Sequence, residues 1–196
     1  MRLVNLVRAC PRTALIGLAA VLVLPPVPLQ AQGGAPAMTV IVVRHAEKGT
    51  EPANDPPLTD AGTARAKALA AALANAKVGV VITTQLLRTR DTGRPTAEAA
   101  KAPMEVVPTG GAAAVHAKAV ADAVKKHSGK TVLVVGHSNT VNHIVAALGG
   151  PTFGDLCDSE YSNLYTLVID AGGTRFMKST FGAPSPEVAT GCPVMK

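Results

Sequence analysis

Short runs of β-branched residues recur along the chain, and they constrain its fold more than any other feature. The first run, MTVIVV at residues 38–43, is almost entirely apolar, which is typical of a strand covered on both faces. The last two runs flank Gly172 and Gly173, a turn that predicts an antiparallel pair. Further strands are predicted at 78–83, 104–108, 131–136, 164–170 and 174–180.

Alanine-rich segments separate these strands and predict helices. One covers about 58–76, with Thr59 or Asp60 as its N-cap. Another begins near residue 112 and ends in two lysines and a histidine before Gly129, a pattern typical of a helix C-terminus. Strands that alternate with helices predict an α/β fold, a three-layer sandwich with a mostly parallel central sheet.

The first 31 residues have the layout of a secretory signal peptide. Three arginines flank or precede the apolar run TALIGLAAVLVL, which is followed by prolines and by a small residue at Ala31. The alternative is an uncleaved N-terminal anchor, although the run is short for a membrane span. We expect cleavage near Ala31, a flexible lead-in at 32–37 and a single domain at 38–196. The mature protein would be periplasmic or secreted, without a stable membrane span.

Charge and cysteine content indicate which kinds of partner and which cellular compartment to expect. The 196-residue chain has a formal net charge of +6, but residues 1–31 hold three of its arginines and no acid. No basic run is interleaved with aromatic residues, so we expect no nucleic-acid partner. Cys157 and Cys192 could form a disulfide that stabilises the fold by about 4 kcal/mol in the loop-closure model. The alternative is two free, buried thiols.

Unusual side chains follow three of the predicted strands. Arg44 and His45 end the first strand, TTQLLRTRDT follows the strand at 78–83, and His137 ends the strand at 131–136. Ligands of parallel α/β sheets bind beyond the carboxyl ends of the strands, so these residues are expected to converge at one edge of the sheet.

These three segments resemble the motifs of a known family, the histidine phosphatase superfamily, which is also called phosphoglycerate-mutase-like. Arg44, His45 and Ala46 match its Arg-His-Gly motif. TTQLLRTRDT matches its second arginine segment, with Arg88 at the arginine position, and VVGHSNT supplies the second histidine, His137. The motifs occur in the family's order, and the resemblance covers roughly 38–170.

The resemblance implies a phosphatase that needs no cofactor and acts on a small phosphorylated substrate. His45 would attack phosphorus and form a phosphohistidine, which water then hydrolyses. Arg44, Arg88 and His137 would surround the phosphoryl oxygens and stabilise charge in the transition state. Arginine suits this role because its planar guanidinium can hold two oxygens and stays charged.

Other interpretations of the same residues remain open. The arginines could be structural, paired with Glu47 or Asp91, and Arg90 could replace Arg88 as the phosphate ligand. The two histidines could bind a metal, but no third ligand is placed near them and the arginines would repel a cation, so no metal is expected. Residues predicted to bind substrate, or else to be surface charge or helix caps, are Lys48, Ser138 and Asn139. Histidines expected to be structural or exposed are His116, His127 and His143.

The chain departs from the family in its proton donor. Many members have a Glu beyond the third strand or an Asp directly after the second histidine, and Ser138 occupies the latter place here. Glu47, Glu105 and Glu160 are the remaining candidates. We therefore expect an exported phosphatase for phosphate monoesters or a phosphoramidate, because a leaving group that needs little protonation suits such a site. The alternatives are a phosphoryl-binding protein of the same fold with little turnover, or a phosphomutase.

Overall fold

The computed structural model describes residues 36–186. The predicted signal peptide of residues 1–31 and most of the lead-in at 32–37 lie outside the described residues. In chain order the elements are β1 (Met38–Arg44), α1 (Asp60–Ala72), β2 (Val78–Thr83), α2 (Leu87–Ala100), β3 (Met104–Val106), α3 (Ala113–Lys125), β4 (Thr131–Gly136), α4 (Val141–Ala147), β5 (Asn163–Asp170) and β6 (Gly173–Thr180).

The strands form one six-stranded sheet in the order β3-β2-β4-β1-β5-β6. The four strands from β3 to β1 are parallel, while β5 and β6 add an antiparallel edge. The predicted α/β fold with a mostly parallel sheet is therefore confirmed. Among residues 36–186, no helix is both long and apolar enough to cross a membrane.

Two cores lie on opposite faces of the sheet, and β1 contributes to both. Val40 and Val42 pack in the core with α3 and α4, whereas Ile41 and Val43 pack in the core with α1 and α2. Successive side chains of a strand point to opposite faces, so a strand covered on both sides needs apolar residues at every position. This requirement explains the uninterrupted β-branched run of β1.

The start of α1 fixes the backbone just after His45. Thr59 is the N-cap of α1, and its hydroxyl accepts a hydrogen bond from the Gly62 N–H. The Thr59 N–H donates to the Glu47 carbonyl over 3.0 Å. A β-carbon at Gly62 would collide with that same carbonyl, so only glycine allows the helix to lie this close.

Cys157 is buried and disulfide-bonded. Its predicted partner, Cys192, lies outside the described residues, so the pairing of these two cysteines stays a prediction.

Candidate active site

The pairing of β1 with β4 brings the two motif histidines together. Arg44 is in register with Gly136, and the His45 N–H donates to the Gly136 carbonyl over 2.9 Å. His137 directly follows Gly136, so the parallel register places it beside His45. The two imidazole rings have centroids 5.4 Å apart and meet edge to face.

The ring of His45 is held in one orientation and one tautomer. Its Nδ1 donates a hydrogen bond to the Ala46 carbonyl over 2.8 Å, so the other ring nitrogen, Nε2, carries the lone pair. His45 is fully buried, and its Nε2 has no hydrogen-bond partner among the described residues. A buried imidazole nitrogen with a free lone pair is suited to act as a nucleophile.

Electrostatics keep both histidines neutral. Burial is the main cause that holds the pKa of His45 well below its usual value, and the positive charges of Arg44 and Arg88 add to it. Burial and the charge of Arg88 likewise lower the pKa of His137 to about 3. A bound phosphoryl group would favour protonation of His137, because opposite charges stabilise each other at short range.

Arg44 is held by the loop between α4 and β5. Its Nη1 donates to the carbonyls of Cys157, Asp158 and Glu160 over 2.7, 3.1 and 3.2 Å. Its Nη2 lies 3.8 Å from the Asp158 carboxylate. The Nε of Arg44 is buried without a partner among the described residues. The guanidinium is therefore anchored on one side and has an unsatisfied donor on the other.

Arg88 occupies the first turn of α2, beyond the carboxyl end of β2. The Asp55 carboxylate accepts hydrogen bonds from the Leu87 N–H over 2.9 and 3.2 Å and lies 3.8 Å from Arg88 Nη1. The Arg88 Nε is also buried without a described partner. Its side chain is 15% exposed, more than that of Arg44, His45 or His137.

Threonines of the second motif connect these elements. Thr92 Oγ1 accepts from the Ala46 N–H over 2.9 Å and donates to the Arg88 carbonyl over 2.7 Å. Thr84 Oγ1 lies 3.2 Å from His137 Nε2 and 2.9 Å from Thr89 Oγ1. The sequence motif contains these threonines but does not indicate what they contact. The structure shows that they tie the His45 segment, the arginine helix and His137 together.

Arg88 and Arg90 each have a buried Nε without a described hydrogen-bond partner. The charge of Arg88 contributes to the lowered pKa of both His45 and His137. The suggested pairings with Glu47 and Asp91 are not formed by these arginines. Glu47 pairs with Arg65, and Asp91 pairs with Arg94. The catalytic roles of the four motif residues stay predictions.

The three predicted substrate-binding residues lie in different environments. Ser138 is buried, and its hydroxyl has no described hydrogen-bond partner. Asn139 is exposed on the turn that precedes α4. Lys48 pairs through its backbone with Leu58. Of the three, only Ser138 has a buried side-chain group without a described partner.

The three glutamates considered as proton donors are each bound by another residue. Glu47 accepts three hydrogen bonds from Arg65, Glu105 lies 3.0 Å from His127, and Glu160 accepts from the Cys157 N–H and the Asn163 amide. Burial opposes ionisation of Glu47, but the hydrogen bonds from Arg65 lower its pKa. Each of these carboxylates therefore contacts a group other than His45.

His116 and His127, expected to be structural or exposed, lie in different surroundings. His116 is buried, and its Nδ1 donates to the Pro108 carbonyl over 3.1 Å. Its Nε2 has no described partner, and a protonated His116 would lower the pKa of His137 further. His127 lies just beyond the end of α3, beside Glu105. No group of three or more His, Cys, Asp or Glu side chains within residues 36–186 is arranged to hold a metal ion.

Comparison with known proteins agrees with this geometry. Residues 40–109 match the model of the histidine phosphatase superfamily, branch 1. These residues contain three of the four motif residues, Arg44, His45 and Arg88. No curated protein sequence matches the chain.

Solved structures of two SixA proteins and of a phosphoglycerate mutase share the fold. A protein histidine phosphatase, SixA, in complex with tungstate is 22% identical, with a TM-score of 0.59 over 73% of this chain and 97% of its own. A SixA from Nakamurella multipartitia described as a phosphohistidine phosphatase is also 22% identical, with a TM-score of 0.56 over 76% and 99%. A phosphoglycerate mutase from Bacillus anthracis is 14% identical, with a TM-score of 0.58 over 74% and 93%.

Residues 40–109 thus match the model of the histidine phosphatase superfamily, and the chain shares the fold of solved structures that include SixA and a phosphoglycerate mutase. The resemblance that the three sequence motifs indicated is thereby confirmed.

Proposed function

We propose that the protein is a phosphatase that hydrolyses phosphate monoesters or a phosphoramidate through a phosphohistidine on His45, without a metal ion. The observation that carries this proposal is the state of His45. Its Nδ1–H is bound to the Ala46 carbonyl, and its buried Nε2 lies unpartnered beside a second histidine and two arginines.

The unsatisfied donors around His45 support a site for an anion. Buried polar atoms in native proteins almost always have partners, so a group of unpartnered ones calls for an explanation. Here Arg44 Nε, Arg88 Nε and the Ser138 hydroxyl are all buried without described partners. A phosphoryl group has enough oxygen acceptors to satisfy them, and the two positive charges would offset its negative charge.

The reaction would proceed in two transfers. The His45 Nε2 lone pair attacks phosphorus, and the bond to the leaving group breaks. Water then attacks the phosphohistidine, the phosphorus–nitrogen bond breaks, and its electron pair returns to Nε2. In both steps Arg44 and Arg88 would hold the equatorial oxygens as their charge redistributes.

Two further features belong to the proposal. The structural neighbours include proteins described as phosphohistidine phosphatases, and phosphohistidine is a phosphoramidate, so a phosphorylated histidine is a candidate substrate.

Export to the periplasm or medium is supported by the signal-like sequence at residues 1–31 and by the disulfide-bonded state of Cys157, because disulfides persist in oxidising compartments.

A turnover assay tests this function. Protein starting at residue 32 is incubated with p-nitrophenyl phosphate and with a phosphoramidate, with and without a chelator, next to His45→Ala. We expect phosphate release that resists the chelator and is lost in the variant. Phosphate binding without turnover of either substrate would instead identify a phosphoryl-binding protein.

A further inference from the structure

Tyr161 stands against both Arg44 and His45, although no sequence motif pointed to it. Its ring centroid is 4.2 Å from Arg44 Cζ and 6.4 Å from the centroid of the His45 ring. Its hydroxyl oxygen accepts a long hydrogen bond of 3.4 Å from Arg44 Nη2. The phenol therefore borders the space in which Arg44 would hold a phosphoryl group.

The tail after β6 holds Tyr161 in this position. Ser185 Oγ accepts hydrogen bonds from the backbone N–H groups of Tyr161 and Ser162 over 2.9 and 3.0 Å. The same tail is bound by Arg65, whose Nη1 donates to the Ala183 carbonyl over 2.8 Å. Because Arg65 also binds Glu47, two residues after His45, these contacts connect Tyr161 with the nucleophile segment.

The site needs a proton donor that the glutamates do not provide. Glu47, Glu105 and Glu160 all contact other groups, and the Asp158 carboxylate lies 3.8 Å from the Arg44 guanidinium. A phenol keeps its proton at neutral pH, and burial raises the pKa of Tyr161 further. The cation of Arg44 in turn favours the phenolate that forms once the proton leaves.

We propose that Tyr161 is the proton donor and acceptor of the reaction, an assignment that rests on the proposed phosphatase function. As His45 Nε2 bonds to phosphorus, the bond to the leaving oxygen breaks, and that oxygen takes its electron pair and the phenolic proton of Tyr161. The phenolate is then stabilised by Arg44. In the second transfer, the phenolate takes a proton from the attacking water, and the phosphorus–nitrogen bond breaks with its electrons returning to Nε2. Both residues end as they began.

Leaving-group dependence tests this assignment, because a proton donor matters only where the leaving oxygen is basic. Wild type and Tyr161→Phe are compared on p-nitrophenyl phosphate, phenyl phosphate and an alkyl phosphate. The phenylalanine keeps the ring over Arg44 and removes only the hydroxyl. We expect kcat/KM to change less than about 3-fold for p-nitrophenyl phosphate and to fall about 10²- to 10⁴-fold for the alkyl ester, with phenyl phosphate between them.

Controls separate chemistry from structure. Tyr165→Phe makes the same change in the tyrosine that packs between Phe153 and Phe176, and it should leave the leaving-group dependence unchanged. Equal losses on all substrates would show that Tyr161 only supports Arg44, and no loss on any would exclude the hydroxyl; either result overturns the assignment. A selective loss in Asp158→Asn instead would move the role to Asp158. If wild type and His45→Ala are equally inactive on p-nitrophenyl phosphate, the phosphatase function itself fails, and this assignment with it.

Discussion

Two buried arginine sites lie side by side in this molecule and differ in how completely they are satisfied. Arg65 is 6% exposed, and all three of its guanidinium nitrogens are hydrogen-bonded, to Glu47 and to the carbonyls of Phe181 and Ala183. Arg44 is 2% exposed, yet its Nε has no described partner, and the same holds for Arg88. This difference indicates that Arg65 stabilises the fold, whereas Arg44 and Arg88 keep unpaired donors for a ligand.

Removing Arg65, whose donors are all hydrogen-bonded, should have the largest effect on the free energy of unfolding. Arg65→Ala leaves the Glu47 carboxylate without its partner and frees the tail after β6. We expect the free energy of unfolding to fall by about 3–5 kcal/mol, as for other broken buried ion pairs. Urea denaturation measures this change. Lys67→Ala, which removes an exposed cation from the same helix, should stay within about 0.5 kcal/mol. A loss below 1 kcal/mol in Arg65→Ala would contradict the structural role.

Removing an unsatisfied arginine should cost activity instead. We expect Arg88→Ala to lower kcat/KM about 10²- to 10³-fold, the range for losing one donor to a transition-state oxygen, while the free energy of unfolding changes little. Arg90→Ala is the matched control, since it removes an arginine two positions further along the same helix. A larger loss in Arg90→Ala than in Arg88→Ala would transfer the phosphate contact to Arg90.

The neutral histidines predict a smaller, pH-dependent effect. The pKa of His137 is about 3 in the folded protein and near 6.5 in an unfolded chain, so between these values the unfolded state binds more protons. The titration of His137 therefore leaves the free energy of unfolding unchanged above about pH 6.5. As the pH drops toward 3, it lowers the free energy of unfolding by up to about 1.4 kcal/mol per pH unit. His137→Gln should flatten this slope. If unfolding experiments give parallel slopes for wild type and variant, His137 is not held neutral.

The same comparison shows how far the sequence predicts the structure. The strands could be predicted because a strand covered on both faces, such as β1, needs apolar residues at every position. A short β-branched run such as MTVIVV is typical of that environment. The meeting of His45 and His137 could be predicted because parallel strands bring their carboxyl ends to one edge. Both inferences depend on local pattern and on a general rule of sheet geometry.

The surroundings of the arginines could not be predicted in this way. The carbonyls that hold Arg44 come from residues more than 110 positions away, and backbone acceptors have no sequence signature. The position of Tyr161 likewise depends on Ser185, in a tail whose path the pattern does not encode. For the same reason the sequence offered Glu47 as a proton donor, since the pairing with Arg65 exists only in the folded chain.

The most direct test of the central claim is to trap the phosphorylated enzyme. Protein is mixed with a phosphorylated substrate and quenched in alkali after milliseconds, and the phosphorylated residue is mapped by mass spectrometry. The account predicts an acid-labile phosphoryl group on His45 that appears before free phosphate and is absent in His45→Ala. Steady turnover with no phosphorylated His45, or with the phosphoryl group on another residue, would contradict it.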